Sequence, residues 1–145
     1  MKNLIIITLL AFGMTPVLAD EKTTELTIVF TNISKKVKGD GYLSLYNDKK
    51  TWLKEEKALK SLRIPHDSIK NGTVTVTLSL PQGEYAFSSW FDKDGDGKMD
   101  KNFIGIPKEP AGMANNQRPS FGPPKYKKSV FTLGEDPVTQ TIKVK

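Results

Sequence analysis

The chain has no cysteine, one histidine and only two arginines among its 145 residues. Without cysteine there is no disulfide framework, no thiolate zinc site and no cysteine nucleophile. The lone histidine, His66, follows Pro65 in a polar stretch, has no second histidine beside it, and reads as a surface residue. The net charge of +6 comes almost wholly from dispersed lysines: Lys35, Lys36 and Lys38, then Lys49, Lys50, Lys54, Lys57 and Lys60, then Lys125, Lys127 and Lys128. Phosphate and base recognition favours the arginine fork, here confined to Arg63 and Arg118, so no nucleic-acid partner is expected. Weak attraction to anionic envelope surfaces remains open. A nucleophile motif of the G-x-S-x-G type is absent, as are internal repeats and Gly-Ser linkers. After residue 19 no apolar run is long enough to span a bilayer.

The one long apolar run lies at the start. Lys2 precedes a nearly unbroken apolar stretch over residues 4–13, and Val17-Leu18-Ala19 places small residues where a signal peptidase reads them. The pattern predicts a secretory signal over residues 1–19, cleaved before Asp20, and a single domain over residues 20–145 in a periplasmic or extracellular compartment. A membrane anchor is the alternative, but the run is about half the length a spanning helix needs. With the leader removed the apolar fraction drops, leaving a lean core without disulfides.

Alternation of apolar and polar residues predicts strands over residues 25–31, 41–46, 73–80 and 84–92, with shorter ones over 129–133 and 138–144. In the third, Val74, Val76, Leu78 and Leu80 should face inward and Thr73, Thr75, Thr77 and Ser79 outward. A further short strand fits residues 103–106, and one short amphipathic helix fits the Lys- and Glu-rich residues 49–62. Tyr85, just after a Pro-x-Gly turn, suits a ring tucked at a sandwich corner or a plain core position. The predicted fold is all-β: an antiparallel β-sandwich of immunoglobulin-like or transthyretin-like type, with one short helix and a long loop rich in Gly and Pro over residues 92–124. Phe103, Ile104, Ile106, Met113 and Phe121 are the apolar groups expected to pack that loop onto the sandwich.

The chemistry concentrates at the start of this loop. Asp92, Asp94, Asp96 and Asp100 fall at relative positions 1, 3, 5 and 9, with Gly97 at position 6, matching the first nine positions of a calcium loop. Calcium takes six to eight oxygens, and alternate carboxylates converge when a chain curls around it. The carbonyl of Lys98 would be the backbone ligand at position 7. Two departures separate this loop from an EF-hand: position 12 is Phe103 instead of glutamate, and the entering segment is a strand. Either the site is weak, near ~10⁻⁴ to 10⁻³ M, or a carboxylate from elsewhere completes it. Glu109 is the nearest downstream candidate, and Asn102 could add an amide oxygen. The bland alternative is a solvated hairpin turn, since Asp-Gly occurs twice here.

The stretch LPQGEYAFSSWFDKDGDGKMDKNFIGIPKEPAGMANNQRPSFGPP, residues 80–124, resembles a bacterial family designated domain of unknown function 2141. That resemblance implies a secreted β-sandwich and maps the family's acidic loop onto Asp92, Asp94, Asp96 and Asp100. Asn102, Gly105, Pro107, Glu109, Asn115 and Asn116 follow. The chain departs in reading Gly112-Met113-Ala114 where the family has Gly-Phe-Ser. The expectation is a non-enzymatic binding or structural module with calcium at the Asp-rich loop and an unidentified ligand or envelope component as partner. An envelope hydrolase or carbohydrate-active protein using the same carboxylates, and a transthyretin-like small-molecule carrier, are the alternatives.

Overall fold

A computed structural model describes residues 21–103, 107–118 and 122–145. The predicted leader, Ile104, Ile106 and Phe121, and most of the strand expected over 103–106, lie outside the described residues.

Two sheets face one another. In the first, β1 (Thr23–Thr31) runs between β4 (Val74–Pro81) and β8 (Val138–Lys143). In the second, β2 (Gly41–Tyr46) lies between β3 (Lys60–Ile64) and β5 (Gly83–Phe91), and β5 also pairs with the short strands β6 (Ala111–Met113) and β7 (Phe131–Leu133). The period-two pattern of β1 is realised as read: Leu26, Ile28 and Phe30 are fully buried. In β4, Val74, Leu78 and Leu80 are buried and Val76 is partly so. Phe30 meets the edges of Phe87 and Phe91 across the sandwich, at centroid distances of 6.3 and 5.5 Å. Tyr85 is buried at the corner after the turn, its hydroxyl donating to the carbonyl of Pro81 at 2.7 Å. Burial is the main cause that pushes its phenol above the ordinary range. Among the described residues no helix is long and apolar enough to cross a membrane.

Four local expectations are corrected. Residues 49–62 do not form one amphipathic helix. They hold turns and a single 3₁₀ turn (Glu55–Lys57), and their end belongs to β3. The lysines and glutamates there are exposed, and hydrogen bonding to β2 outweighs helix propensity. The one α-helix among the described residues, α1 (Tyr126–Ser129), takes up the beginning of the strand expected over 129–133. The sandwich is not wholly antiparallel, because β8 runs parallel to β1, with Leu26 opposite Val138 and Thr31 opposite Lys143. Phe103 does not pack on the sandwich: it is 99% exposed, just beyond the Lys101–Pro107 bridge and the Lys108 N–H that donates to the Asp100 carbonyl at 2.8 Å.

Candidate metal centre

The acidic loop leaves the sandwich at the end of β5, where two ladders converge. On one side, Gly39 N–H donates to the Asp92 carbonyl and Asp92 N–H to the Asp40 carbonyl, both at 2.9 Å, while Lys38 N–H reaches the Lys93 carbonyl at 3.2 Å. On the other, Phe91 N–H donates to the carbonyl of Pro110 at 2.8 Å. This second contact brings residue 109 back beside residue 92. The side chain of Glu109 then accepts the N–H of Lys93 through Oε2 at 2.7 Å.

Asp92 organises the loop around itself. Its side chain is 2% exposed; Oδ1 accepts the N–H of Gly95 at 2.9 Å and Oδ2 that of Gly97 at 2.7 Å. The curl these bonds demand puts Gly95 at φ +82° and Gly97 at φ +74°, left-handed backbone that a side chain adopts only at a cost. Two further turns follow, with Asp94 Oδ1 accepting from Asp96 N–H at 3.2 Å and Asp96 Oδ1 from Lys98 N–H at 2.8 Å. Each acceptor oxygen keeps a second lone pair.

The result is a set of four acids. One carboxylate oxygen from each of Asp92, Asp94, Asp96 and Glu109 lies within 4.8 Å of all the others, with Asp92 and Glu109 buried and Asp94 and Asp96 exposed. At that separation each charged pair repels by about 1 kcal/mol even in bulk water, and by more where one member is buried. Burial is the main cause that raises the Glu109 carboxyl above its ordinary range; the Lys93 N–H opposes the shift, and the negative charges of Asp94, Asp100 and Asp92 add to it. Four hard oxygens converging from one curled loop and one distant residue could hold a divalent cation such as calcium. Asp100 stands outside the close group, acting on Glu109 only through its charge, while its backbone carbonyl holds Lys108. Lys98 joins the loop through its N–H; its carbonyl remains the expected ligand at position 7.

One close neighbour, Gly39, carries no chemistry of its own and does not stand out in the sequence. A Cβ built there would sit 2.5 Å from Asp92 Oδ2, 2.8 Å from its Cγ and 2.9 Å from its Cβ. The closeness of Gly39 and Gly41 on either side of Asp40 was the available signal. Asp40 braces the same approach, accepting the N–H of His66 at 2.8 Å and pairing with Arg63. The His66 N–H and then Arg63 hold its carboxyl below the usual range. His66 is exposed, its Nε2 within 3.0 Å of the Val37 carbonyl. Asn115 and Asn116 lie away from the acids. Asn115 exchanges hydrogen bonds with Gln140 and donates to the Val130 carbonyl, and Asn116 accepts from Lys143 N–H, so both dock the segment after β6 onto β8. Both have positive φ.

Fold and loop together define a β-sandwich carrying an acidic, Asx-turned loop at the end of a central strand. The family model for an uncharacterized protein conserved in bacteria (DUF2141) matches residues 28–141, and the chain belongs to that family. No curated protein and no solved structure matches the chain.

Proposed function

We propose that the protein is an exported, non-enzymatic β-sandwich module whose acidic loop binds calcium as a structural tie. The observation that carries this reading is the approach of Asp92, Asp94, Asp96 and Glu109 to within 4.8 Å of one another. A cation between them turns mutual repulsion into attraction and clamps residue 109 to the beginning of the loop. Export is supported by the leader pattern of residues 1–19. A partner other than nucleic acid is supported by the scarcity of arginine: Arg63 is paired with Asp40, and Arg118 donates to the Lys143 carbonyl. Ion binding is better supported than paired-carboxylate hydrolysis, because Asp92 spends both side-chain oxygens on loop N–H groups. The cavity of about 260 Å³ beside Glu109 is lined otherwise by Ser34, prolines and lysines, with no second acidic side chain on it among the described residues.

Glu109→Gln tests this with effects of opposite sign. Because the carboxyl is raised in the fold, its ionised form costs the metal-free protein stability as pH climbs through and past the carboxylate range. Glutamine keeps an oxygen for the Lys93 N–H and removes the charge. The variant should therefore melt higher than the parent in a chelator at neutral pH, and gain much less from added calcium. For the parent, calcium about a hundredfold above its Kd should add about 2.7 kcal/mol, a rise in Tm on the order of 10 °C. An equal calcium-induced rise in both proteins would refute a role for Glu109 as ligand.

A further inference from the structure

We infer that the end of the molecule carrying the acidic loop docks on a bilayer of anionic phospholipid, with Phe103 entering the lipid and the cavity beside Glu109 receiving a headgroup phosphate. The inference rests on the calcium reading in one respect, because the ion offsets the acids at this end. Two independent observations meet here. The first is the charge of the cavity: Lys36, Lys93, Lys108 and Lys145 line it, and Glu109 is its one acidic side chain among the described residues. The single ion pair among the described residues joins Arg63 to Asp40, so none of the four ammonium groups has an acidic partner there. Their backbones are nevertheless held. Lys36 N–H donates to Ser34 Oγ at 3.1 Å, Lys93 N–H to Glu109 at 2.7 Å and Lys108 N–H to the Asp100 carbonyl at 2.8 Å. Lys145 exchanges both backbone bonds with Ala111, at 3.1 and 2.9 Å. Unpaired cations around one concavity of about 260 Å³ suit a compact anionic group.

The second observation is Phe103. Its ring is 99% exposed, while the other large exposed apolar residue among those described, Leu59, is 52% exposed. A phenylalanine ring gains free energy by leaving water, and lipid offers the phase to receive it. The ring and the cavity are neighbours. Lys101 pairs with Pro107, which lines the cavity, and two residues of chain carry Phe103 at most about 7 Å beyond Lys101. Lys98, Lys101 and Lys108 are exposed close by in the chain. An exposed aromatic ring flanked by lysines combines the two terms that hold a protein at an anionic membrane surface, apolar burial and attraction to the headgroups. Free phosphate or a charged polysaccharide satisfies the lysines but leaves the ring in water, so the bilayer is the occupant that uses both. Asp94 and Asp96 are exposed at the same end and repel anionic lipid. Calcium held between them removes that repulsion and adds a concentrated positive charge, so the contact strengthens when the ion binds.

Co-sedimentation of residues 20–145 with phosphatidylcholine vesicles, prepared with and without phosphatidylglycerol, tests the surface. Binding should need phosphatidylglycerol, weaken as salt is raised, and fall about tenfold or more when chelator replaces millimolar calcium. Phe103→Ser removes a ring that covers nothing, so the variant should fold as the parent does and bind about tenfold more weakly. Lys36→Glu with Lys108→Glu should weaken binding at least about twentyfold, each lysine being worth about fivefold near an anionic surface. Lys49→Glu with Lys57→Glu, exposed positions beyond the far end of β2, changes the net charge equally and should bind almost as the parent does. Equal pelleting with phosphatidylcholine alone, undiminished binding by Phe103→Ser, equal losses in the two charge-reversed variants, or binding unchanged by chelator would overturn the proposal. Calorimetry without lipid keeps the two readings apart. Calcium heat without vesicle binding overturns the docking surface alone, whereas no calcium heat overturns the calcium reading and the docking built on it.

Discussion

Replacing Asp92 with alanine is expected to cost the fold about 2–4 kcal/mol and to remove calcium binding in the same step. The carboxylate is buried and accepts the N–H groups of Gly95 and Gly97, so truncation leaves two donors unpaired near the end of β5 and empties the space between them. Asp92→Asn separates the two consequences. Its single oxygen satisfies one of the glycine N–H groups while its amide NH2 faces the other, so it should lose less stability than Asp92→Ala while the calcium response falls at least tenfold. Denaturant unfolding with and without calcium reads both. If Asp92→Ala unfolds at the parental midpoint, the hydrogen bonds assigned to this side chain do not organise the loop.

Gly39→Ala should destabilise by about 1–3 kcal/mol through overpacking, although it adds only one methyl group. The new carbon would meet three atoms of Asp92, and Asp92 cannot withdraw because its oxygens are tied to the loop and its backbone to residues 39 and 40. Relief must come from moving the loop, which spoils the convergence on Glu109 and should lower calcium affinity by about tenfold or more. The two substitutions are coupled. In an Asp92→Ala background the contacts with Oδ2 and Cγ disappear while the 2.9 Å contact with Cβ stays, and the Asp92 side chain no longer ties the loop, so Gly39→Ala should cost less there than in the parent. Equal costs in the two backgrounds would show that the glycine is not there to admit Asp92.

How far the sequence reveals this molecule depends on the range of the interactions involved. Leu26, Ile28 and Phe30 announce β1 because one face of that strand is solvated and the other is core, so burial and alternation are the same information. β3 is hidden because Lys60, Ser61 and Arg63 are exposed edge residues whose strand character comes from pairing with β2. β6 is hidden because Ala111, Gly112 and Met113 have little strand propensity. They pair with β5, while the Ala111 N–H and carbonyl bond Lys145 beyond the end of β8, and Gly112 is fitted so closely that a Cβ would lie 2.6 Å from Ile142. The parallel course of β8 beside β1 likewise leaves no local trace.

The candidate site divides in the same way. Asp92, Asp94 and Asp96 were legible because ligand spacing within a curled loop is local geometry. Glu109 was legible as a chemically suitable neighbour, but its delivery depends on the bond from Phe91 to Pro110, which no spacing reveals. Asp100 fits the spacing and yet stands outside the close group, because its backbone is by then paired with Lys108 beside the Lys101–Pro107 bridge.

Calorimetric titration of residues 20–145 with calcium asks whether the four converging acids hold a divalent cation. The expected result is a saturable isotherm with one ion per chain and a Kd at or below the ~10⁻⁴ to 10⁻³ M range of extracellular calcium modules, lost in Asp92→Ala. A flat isotherm at millimolar calcium, with a melting temperature unchanged by the ion, would contradict it.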